Sequence, residues 1–240
     1  MTSNRTFLTA EWRNLVLLNY EVDSRLLSPF LPRGTELDSW NGKFFVSLVG
    51  FQFLNTKVLG VHIPFHTNFD EVNLRFYVRR QVGAEIRRGV VFIREIVPRR
   101  AIAFVARIFY NEKYVALPMA HQIEPRADGG INARYRWNPD GEWSEISFES
   151  GGESEALQEG SEAQFITEHY WGYAKQRDGG CVEYQVTHPS WKVWHATRAE
   201  FHGRTEKLYG PDFSEILRGY PASAFLADGS AIFVMRGHRL

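Results

Sequence analysis

The sequence FDEVNLRFYV, residues 69–78, gives the clearest indication of the fold. Because the side chains of a β-strand point alternately to opposite faces, it predicts a strand with one apolar and one polar face. The apolar face carries Val72, Leu74, Phe76 and Val78. The polar face carries Glu71, Asn73, Arg75 and Tyr77. Such a strand either exposes its polar face to water or turns that face into a cavity, and the alternation alone leaves both interpretations open.

Strand-like segments also dominate the sequence on both sides of this stretch. Apolar and β-branched runs occupy residues 13–22, 44–53, 89–97, 101–110, 131–137, 181–187, 191–201 and 231–236. The pair Asn41-Gly42 predicts a tight hairpin turn just before the second of these runs. Short helices are expected to begin at Asp23, Ser161 and Asp212, whose side chains are typical N-caps. The acidic, glycine-containing residues 150–160 predict a long exposed loop.

These elements predict a mainly β (α+β) protein with an antiparallel, cone-like or barrel-like sheet and two or three short helices. Aromatic residues make up 15% of the 240 residues, and a closed or doubled sheet is needed to bury so many of them. Curved sheets of this kind commonly surround a small-molecule cavity. A chain of this length fits a single domain over residues 1–240.

The composition argues against several classes of protein. The 28 Lys and Arg residues balance the 28 Asp and Glu residues, so no global charge attracts nucleic acid or an anionic membrane. Cys181 is the single cysteine, which excludes an intramolecular disulfide and a cysteine-based zinc site. The sequence has no export-leader pattern and no long apolar run, and we therefore expect a cytoplasmic protein with no membrane contact.

The sequence also lacks the motifs of common cofactor and metal sites. It has no P-loop, no dinucleotide-binding glycine pattern and neither the G-x-S-x-G nor the H-E-x-x-H motif. His62 and His66 are separated by Pro64, so they do not form a helical pair of zinc ligands. We therefore expect no cofactor and no metal site.

Charge is distributed unevenly along the chain. Nine arginines and no lysine lie between Arg75 and Arg107, whereas residues 137–167 contain acidic residues and no Lys or Arg. The two segments are expected to neutralise each other. Alternatively, the arginine-rich stretch belongs to an oligomeric or nucleic-acid-binding module. Nucleic acid is the less expected partner, because charges on a strand usually lie on a solvated face.

The segment FYNEKY, residues 109–114, places Lys113 at the end of an apolar run. Burial or a neighbouring cation lowers the pKa of a lysine, and the neutral amine can then form a Schiff base with a carbonyl group. The simpler interpretation is a turn lysine that extends into water. Among the histidines, His188 in the turn-like sequence THPSW is expected to make structural hydrogen bonds, and His169 fits either a pocket or a core position.

Several of these motifs together resemble one known family. In chain order they are LPRG at residues 31–34, Asn41-Gly42 with the apolar strand that follows it, the block FxExNxRxYV at residues 69–78, the aromatic segment from Tyr110 to Tyr114, FITEHY at residues 165–170 and HPSW at residues 188–191. The combination is similar to the YqjF-like family of uncharacterised conserved proteins, whose fold is similar to that of acetoacetate decarboxylase. The resemblance extends from about Trp12 to Phe201 and implies a barrel-like antiparallel fold around an enclosed polar cavity.

The resemblance also implies candidate catalytic residues. In the decarboxylases a lysine forms the Schiff base beside a second lysine, and a glutamate from an earlier strand lies in the same pocket. Glu71 lies in a segment that resembles the glutamate's strand, and Lys113 falls near the position of the lysine. The second lysine is missing here, and Glu112 would favour the charged form of the amine.

The leading hypothesis is a cavity that binds a small carboxylate or carbonyl-containing ligand. Its candidate ligand-binding residues are Asn73, Arg75, Tyr77, Tyr110, Tyr114 and His188. The alternative is a Schiff-base-forming lyase, such as a decarboxylase, aldolase or dehydratase, in which Lys113 and Glu71 are catalytic. A homodimer is compatible with this architecture.

Overall fold

The computed structural model describes residues 6–98 and 113–240, and these residues form a mainly β protein. The strands within these ranges are β1 (Thr6–Val22), β2 (Glu36–Leu37), β3 (Phe44–Val58), β4 (Val61–His62), β5 (Phe69–Val82), β6 (Glu85–Val97), β7 (Tyr114–Ala116), β8 (Met119–Pro125), β9 (Ile131–Trp137), β10 (Ser144–Glu149), β11 (Glu155–Ala156), β12 (Trp171–Lys175), β13 (Cys181–Thr187), β14 (Lys192–His195), β15 (Arg198–His202), β16 (Ser223–Met235) and β17 (His238–Arg239). The mainly β fold class is thus confirmed.

Four short α-helices occur in the described part of the chain, where two or three were expected. They are α1 (Ser24–Leu27), α2 (Glu162–Thr167), α3 (Glu206–Tyr209) and α4 (Pro211–Arg218). A single 3-10 turn at Ser28–Phe30 continues α1. No helix in the described ranges has the length and apolar character needed to cross a membrane.

The larger sheet follows the order β11-β14-β16-β1-β3-β5-β6-β12-β13-β17, and its long neighbouring strands β16, β1, β3, β5 and β6 are antiparallel. Parallel neighbours occur where β6 meets β7 and β12. A further antiparallel pairing joins β13 to β16, through Val186 with Val234 and Thr187 with Phe233. This short contact of two residue pairs brings the strand order back to β16 and makes the sheet barrel-like.

The larger sheet buries apolar side chains on both of its faces. On the outer face, Leu74 of β5 belongs to the same core cluster as Trp137 of the second sheet, whose order is β15-β10-β9-β8. On the inner face, Val49 of β3 clusters with Tyr77 of β5 and with Phe165 of α2. Full burial of a side chain such as Leu or Val stabilises the fold by about 2 kcal/mol. The outer face is thus covered by the second sheet, and the inner face lines the inside of the barrel-like sheet.

The Asn41-Gly42 turn has the geometry that its sequence predicts. Asn41 has a φ of 50° and Gly42 a φ of 79°, which are the positive values that a type I′ turn requires at both central residues. Trp40 and Lys43 flank the turn and exchange backbone hydrogen bonds of 3.0 and 2.9 Å. The predicted hairpin turn is therefore confirmed, and β3 follows it directly.

Two of the three expected helix caps are confirmed. Asp23 accepts a hydrogen bond of 2.8 Å from a backbone N–H of α1, and Ser161 accepts one of 3.1 Å from a backbone N–H of α2. Asp212 is not a cap, because α4 begins one residue earlier, at Pro211. Proline has no N–H to leave unsatisfied and its fixed φ suits the first helical position, so it determines where this helix starts.

Of three further predicted segments, one is divided in the structure, one is largely as expected and one lies outside the described residues. The strand expected over residues 191–201 is divided into β14 and β15, which belong to different sheets. The loop expected over residues 150–160 is largely irregular and contains only the two-residue strand β11 within it. The strand expected over residues 101–110 lies outside the described residues.

Candidate functional site

A cavity of about 220 Å³ lies inside the barrel-like sheet. Side chains from β1, β3, β5, β6, β7, β12, β13 and β16 line it, and residues 167 and 169 at the end of α2 add to the wall. The wall is mainly apolar, and its aromatic members include Trp12, Phe51, Phe53, Phe92, Trp171 and Trp191. The expected polar cavity is thus corrected to a mainly apolar one in which polar side chains form a local group.

Glu71, Asn73 and Arg75 belong to this polar group and reach the cavity from one face of β5. Glu71 accepts hydrogen bonds from Asn73 Nδ2 at 3.0 Å and from the Tyr114 hydroxyl at 3.1 Å. Burial raises the pKa of Glu71 to about 7, although the two hydrogen bonds and the charge of Arg75 act in the opposite direction. Glu71 can therefore gain or lose a proton near neutral pH.

A second buried carboxylate, Glu95 of β6, lines the same cavity. A β-bulge shifts the register between β5 and β6, so Phe92 and Glu95 both face the cavity although they are three residues apart. Burial, followed by the charges of Glu71 and Glu95, raises the pKa of Tyr114 well above its ordinary value. The Tyr114 hydroxyl therefore stays protonated and acts as a hydrogen-bond donor.

Arg75 is the single arginine or lysine among the described residues of the cavity wall. It is only 9% exposed. Its Nη2 donates to the carbonyl oxygen of Ile166 at 3.5 Å, and its guanidinium carbon lies 5.8 Å from the centre of the Tyr77 ring. Its Nε has no hydrogen-bond partner within the described ranges. A buried, unpartnered N–H costs free energy, and an anionic ligand in the cavity could pair with the charge of this guanidinium.

His169 follows α2 and lines the cavity, which settles its position as a pocket residue. Its Nε2 lies 3.4 Å from Asp38 Oδ2, and Arg88 Nε donates to the same oxygen at 2.7 Å. Burial raises the pKa of Asp38, but the hydrogen bonds from His169 and Arg88 outweigh burial and lower it. Burial also lowers the pKa of His169, to about 4. The charges of Arg88 and Arg75 lower it as well, whereas Asp38 acts in the opposite direction. A neutral imidazole therefore stands beside an ionised carboxylate.

His188 lines the aromatic part of the cavity. Its ring stacks on Trp191 with 4.0 Å between the ring centres, and its Nδ1 lies 2.9 Å from the carbonyl oxygen of Pro189. Burial lowers the pKa of His188 against the effect of this carbonyl, and the charge of Arg75 lowers it further. The structural hydrogen bond expected of His188 is present, and the residue also faces the cavity.

The three candidate tyrosines occupy different positions. Tyr114 lines the cavity. Tyr77 lies on the same face of β5, but its hydroxyl is 2.6 Å from Ser47 Oγ and its ring centre is 4.8 Å from that of His169. Tyr77 therefore supports the wall from behind and is not part of its surface, which corrects its expected contact with a ligand. Tyr110 lies outside the described residues.

Lys113 does not reach the cavity. Its exposed side chain lies against the outer helical region, with Nζ 4.9 Å from the centre of the Phe30 ring, while the adjacent Tyr114 faces Glu71. All six lysines of the chain belong to the described ranges, and none of them lines the cavity. The expectation of a lysine beside Glu71 is therefore corrected, since Tyr114 takes that position.

Four of the six described arginines between Arg75 and Arg107 are paired with acids from several parts of the chain. The ion pairs are Arg79–Glu36, Arg80–Glu183, Arg87–Glu183 and Arg88–Asp38. These acids lie outside residues 137–167, so the expected neutralisation by that acidic segment is wrong for these four arginines. The pairing gives no support to a nucleic-acid-binding surface. Within residues 6–98 and 113–240, no three His, Cys, Asp or Glu side chains are grouped so that they could hold a metal ion.

Comparison with protein families agrees with the sequence motifs. The DUF2071 family of uncharacterized conserved proteins matches residues 9–231. The chain belongs to this family. A similar protein is the uncharacterized protein YqjF of Bacillus subtilis strain 168, which is 28% identical over 104 residues, or 43% of this chain and 41% of YqjF. The match thus spans less than half the length of that relative. Together with the family match, it confirms the resemblance to YqjF-like proteins.

Solved structures share the fold of this DUF2071 protein. Acetoacetate decarboxylase from Legionella pneumophila has a TM-score of 0.66 at 13% identity, with 100% of this chain and 92% of that chain covered. An acetoacetate decarboxylase-like enzyme from Sphingomonas wittichii RW1 has a TM-score of 0.64 at 11% identity, with 98% and 94% covered. The enduracididine biosynthesis enzyme MppR in complex with pyruvate has a TM-score of 0.66 at 14% identity, with 100% and 91% covered. At these identities the likeness establishes the fold alone.

Two further residues of this DUF2071 site had no signal in the sequence. Glu95 was hidden because a β-bulge changes the alternation of β6, and alternation is what sequence reasoning depends on. Asp38 lies in a loop 131 residues before His169 and meets it only in the folded chain. For His169 itself a signal existed, since it belongs to the FITEHY motif, but the motif does not give the direction of the side chain.

Proposed function

We propose that this DUF2071 protein binds a small carboxylate or carbonyl-containing ligand in its cavity. The proposal depends on the buried Arg75 guanidinium, which lies on the cavity wall and whose Nε lacks a partner in the described chain. A guanidinium in apolar surroundings binds a carboxylate through short, charge-assisted hydrogen bonds. A ligand carboxylate would satisfy Arg75 and place the rest of the ligand in the cavity.

The rest of the wall suits an apolar ligand body. Trp12, Phe51 and Phe92 contribute aromatic surface, which binds flat or aliphatic groups by burying apolar area. The cavity of about 220 Å³ is smaller than the roughly 300–1,000 Å³ of sites for drug-sized ligands, so the ligand is small. MppR, which shares the fold, was solved with pyruvate, a molecule with both a carboxylate and a carbonyl group. That complex supports the ligand class.

Acid–base catalysis is a second candidate function for the same cavity. Glu71 is buried and has a pKa of about 7, which suits a residue that transfers protons near neutral pH. A Schiff-base lyase is a weaker candidate, because it needs an amine at the site and no lysine lines this cavity. Any reaction at Glu71 would therefore proceed without a lysine adduct.

Isothermal titration calorimetry with 3-phenylpropionate and pyruvate tests the binding proposal. The wild-type protein is expected to bind at least one of them, and Arg75→Gln is expected to weaken that binding between roughly tenfold and a hundredfold, because a charge-assisted hydrogen bond is lost. Arg79→Gln is the matched control, since Arg79 belongs to the same strand but is half exposed and paired with Glu36. Absence of binding by the wild type, or equal binding by Arg75→Gln, contradicts the proposal.

A further inference from the structure

The cavity is elongated along β5, and its shape narrows the class of ligand; this inference rests on the function proposed above. Phe69 and Arg75 both line the cavity and lie six residues apart on this strand. At the rise of a β-strand their Cα atoms are separated by about 20 Å. Tyr77, the next residue on the same face, lies behind the wall, with its hydroxyl 2.6 Å from Ser47 Oγ. Arg75 therefore lies at the inner end of the cavity.

The cavity opens at its other end, beyond Phe69. Ile63 lines the cavity and is 39% exposed, so it marks the opening. Phe53 of β3 pairs with Phe69, and β3 continues from there to Val58, which also lines the cavity. Because β3 and β5 are antiparallel, this direction leads away from Arg75. The cavity therefore extends from the buried Arg75 to a mouth at Val58 and Ile63.

An apolar row continues from this mouth onto the edge strand β4. Its members, in order across β16, β1, β3 and β4, are Val234, Leu8, Val58 and Val61. The first three line the cavity, and directly paired residues point to the same side of a sheet, so Val61 faces that side as well. Val61 is nevertheless 65% exposed. The apolar wall of the cavity thus extends by one strand beyond the enclosed space.

Residues 59–65 form an apolar rim around this mouth. Its exposed members are Leu59, Val61, Ile63 and Phe65. Exposed apolar patches commonly mark binding sites. Lys57 is the only Lys or Arg among residues 55–68, so the rim offers little electrostatic attraction to an anionic bilayer. Because Ile63 belongs to the rim and also lines the cavity, the occupant that fits both is the apolar end of the cavity's own ligand.

We propose that the ligand is an unbranched alkyl carboxylate of about twelve carbons. Its carboxylate pairs with Arg75, its chain runs along the aromatic wall, and its last carbons lie against Val61 and Ile63. An extended alkyl chain advances about 1.3 Å per carbon, because C–C bonds are about 1.5 Å long and their angles are nearly tetrahedral. Such a chain spans about 14 Å, and the Arg75 side chain covers part of the remaining distance. A shorter acid pairs with Arg75 but leaves the rim exposed to water.

Isothermal titration calorimetry with hexanoate, octanoate, decanoate and dodecanoate tests this inference. Burial of each added CH₂ group is expected to tighten binding by roughly threefold to fourfold. Dodecanoate is therefore expected to bind roughly a hundredfold more tightly than octanoate, a difference called the chain-length gain below.

The double substitution Val61→Ser with Ile63→Ser assigns the chain-length gain to the rim. Both side chains are exposed, so thermal unfolding is expected to change little. The gain is expected to fall from roughly a hundredfold to less than about tenfold, because the last carbons lose their apolar contacts. Ile86→Ser is the matched control, since Ile86 is an exposed isoleucine of β6 that does not line the cavity. This control is expected to keep the full gain.

A second measurement uses the wild-type protein and needs no folded variant. The methyl NMR signals of Ile63 are expected to shift when dodecanoate binds and to stay in place with hexanoate, whose chain ends before the rim. The methyl signals of Ile86 are expected to stay in place with both acids.

The possible failures are distinguishable. Similar affinities for octanoate and dodecanoate overturn the inference and leave the proposed function standing. A full chain-length gain in the double variant, or Ile63 signals that ignore dodecanoate, also overturns the inference. If that variant instead loses self-association in sedimentation, or binding to phosphatidylcholine vesicles, while keeping the gain, a second copy or a bilayer covers the rim. Failure of all four acids and of 3-phenylpropionate to bind contradicts the proposed function itself.

Discussion

Tyr114 donates a hydrogen bond of 3.1 Å from its hydroxyl to Glu71 Oε2 inside the cavity. This contact fixes the direction of the side chains at the start of β7, because neighbouring residues of an extended chain point to opposite sides. Lys113 consequently points away from Glu71, and its ammonium group lies against Phe30. The site therefore has a phenol hydroxyl beside Glu71 where the sequence suggested an amine.

The absence of a cavity lysine predicts that borohydride will trap no keto-acid adduct. After incubation with pyruvate and borohydride, intact-mass spectrometry is expected to show an unmodified chain, because all six lysines lie away from the cavity. Lys113→Ala is expected to bind 3-phenylpropionate as the wild type does. A reduced pyruvate adduct on Lys113 and on none of the other five lysines would contradict the geometry.

Glu71 predicts a loss of stability as the pH rises. Its pKa is about 7 in the folded protein against an ordinary value of 4.5, so between these two pH values the folded state holds a proton that the unfolded state has released. The contribution of Glu71 to the free energy of unfolding therefore decreases over this window, by about 3 kcal/mol in total. Glu71→Gln carries no titrating group and is expected to become more stable relative to the wild type by this amount.

Urea denaturation of the wild type and Glu71→Gln at pH values from 4.5 to 8 measures this difference. Gln retains an oxygen that can accept from Asn73 or Tyr114, so the comparison isolates the charge. Glu155→Gln is the control, because Glu155 is exposed on β11. The difference in the free energy of unfolding between this variant and the wild type is expected to vary little with pH. A difference between Glu71→Gln and the wild type that does not vary with pH would show that Glu71 is not the titrating group.

Ligand affinity is expected to fall as the pH rises through 7. A carboxylate bound by Arg75 adds a negative charge near Glu71. The protein should therefore bind the ligand best when Glu71 is protonated and neutral. Above that pH the affinity for 3-phenylpropionate is expected to decrease by up to about tenfold per pH unit. Calorimetry across this range should give a sloping profile for the wild type and a flat one for Glu71→Gln. A flat wild-type profile is the contrary result.

The buried position of Glu183 predicts that its substitution lowers the free energy of unfolding, for reasons unrelated to ligand binding. This carboxylate is fully buried and accepts from Arg80 at 3.0 Å and from Arg87 at 2.7 Å. Glu183→Gln removes the counter-charge that Arg80 and Arg87 share and leaves Arg87 only its half-exposed partner Glu85, so the free energy of unfolding is expected to fall by about 3 kcal/mol. Glu85→Gln, which removes a half-exposed partner of Arg87, is expected to cost less than about 1 kcal/mol. Similar losses in the two variants would contradict this account.

The sequence predicts the fold and one side of the site, and the reasons for its failures are physical. Alternation along β5 is a local property, so it places Glu71, Asn73 and Arg75 on one face without any tertiary information. The bulge in β6 and the packing of α2 depend on the partner strands and the core, and they determine where Glu95 and His169 point. Such contacts leave no periodic trace in a single sequence.

The helix caps show the same limit on a smaller scale. Asp23 and Ser161 cap helices through contacts within three residues, which a local sequence pattern specifies. At α4 two local preferences compete, and Pro211 determines the start of the helix in place of Asp212. The direction of Lys113 was equally undetermined, since one step along a strand reverses the face of every side chain.

A crystal structure of the protein grown with 3-phenylpropionate shows whether Arg75 binds the ligand. We expect the ligand to occupy the cavity with its carboxylate hydrogen-bonded to the Arg75 guanidinium and with its phenyl ring against the aromatic wall. A cavity without ligand at saturating concentration, or a carboxylate that lies away from Arg75, would contradict the claim that this arginine binds the ligand.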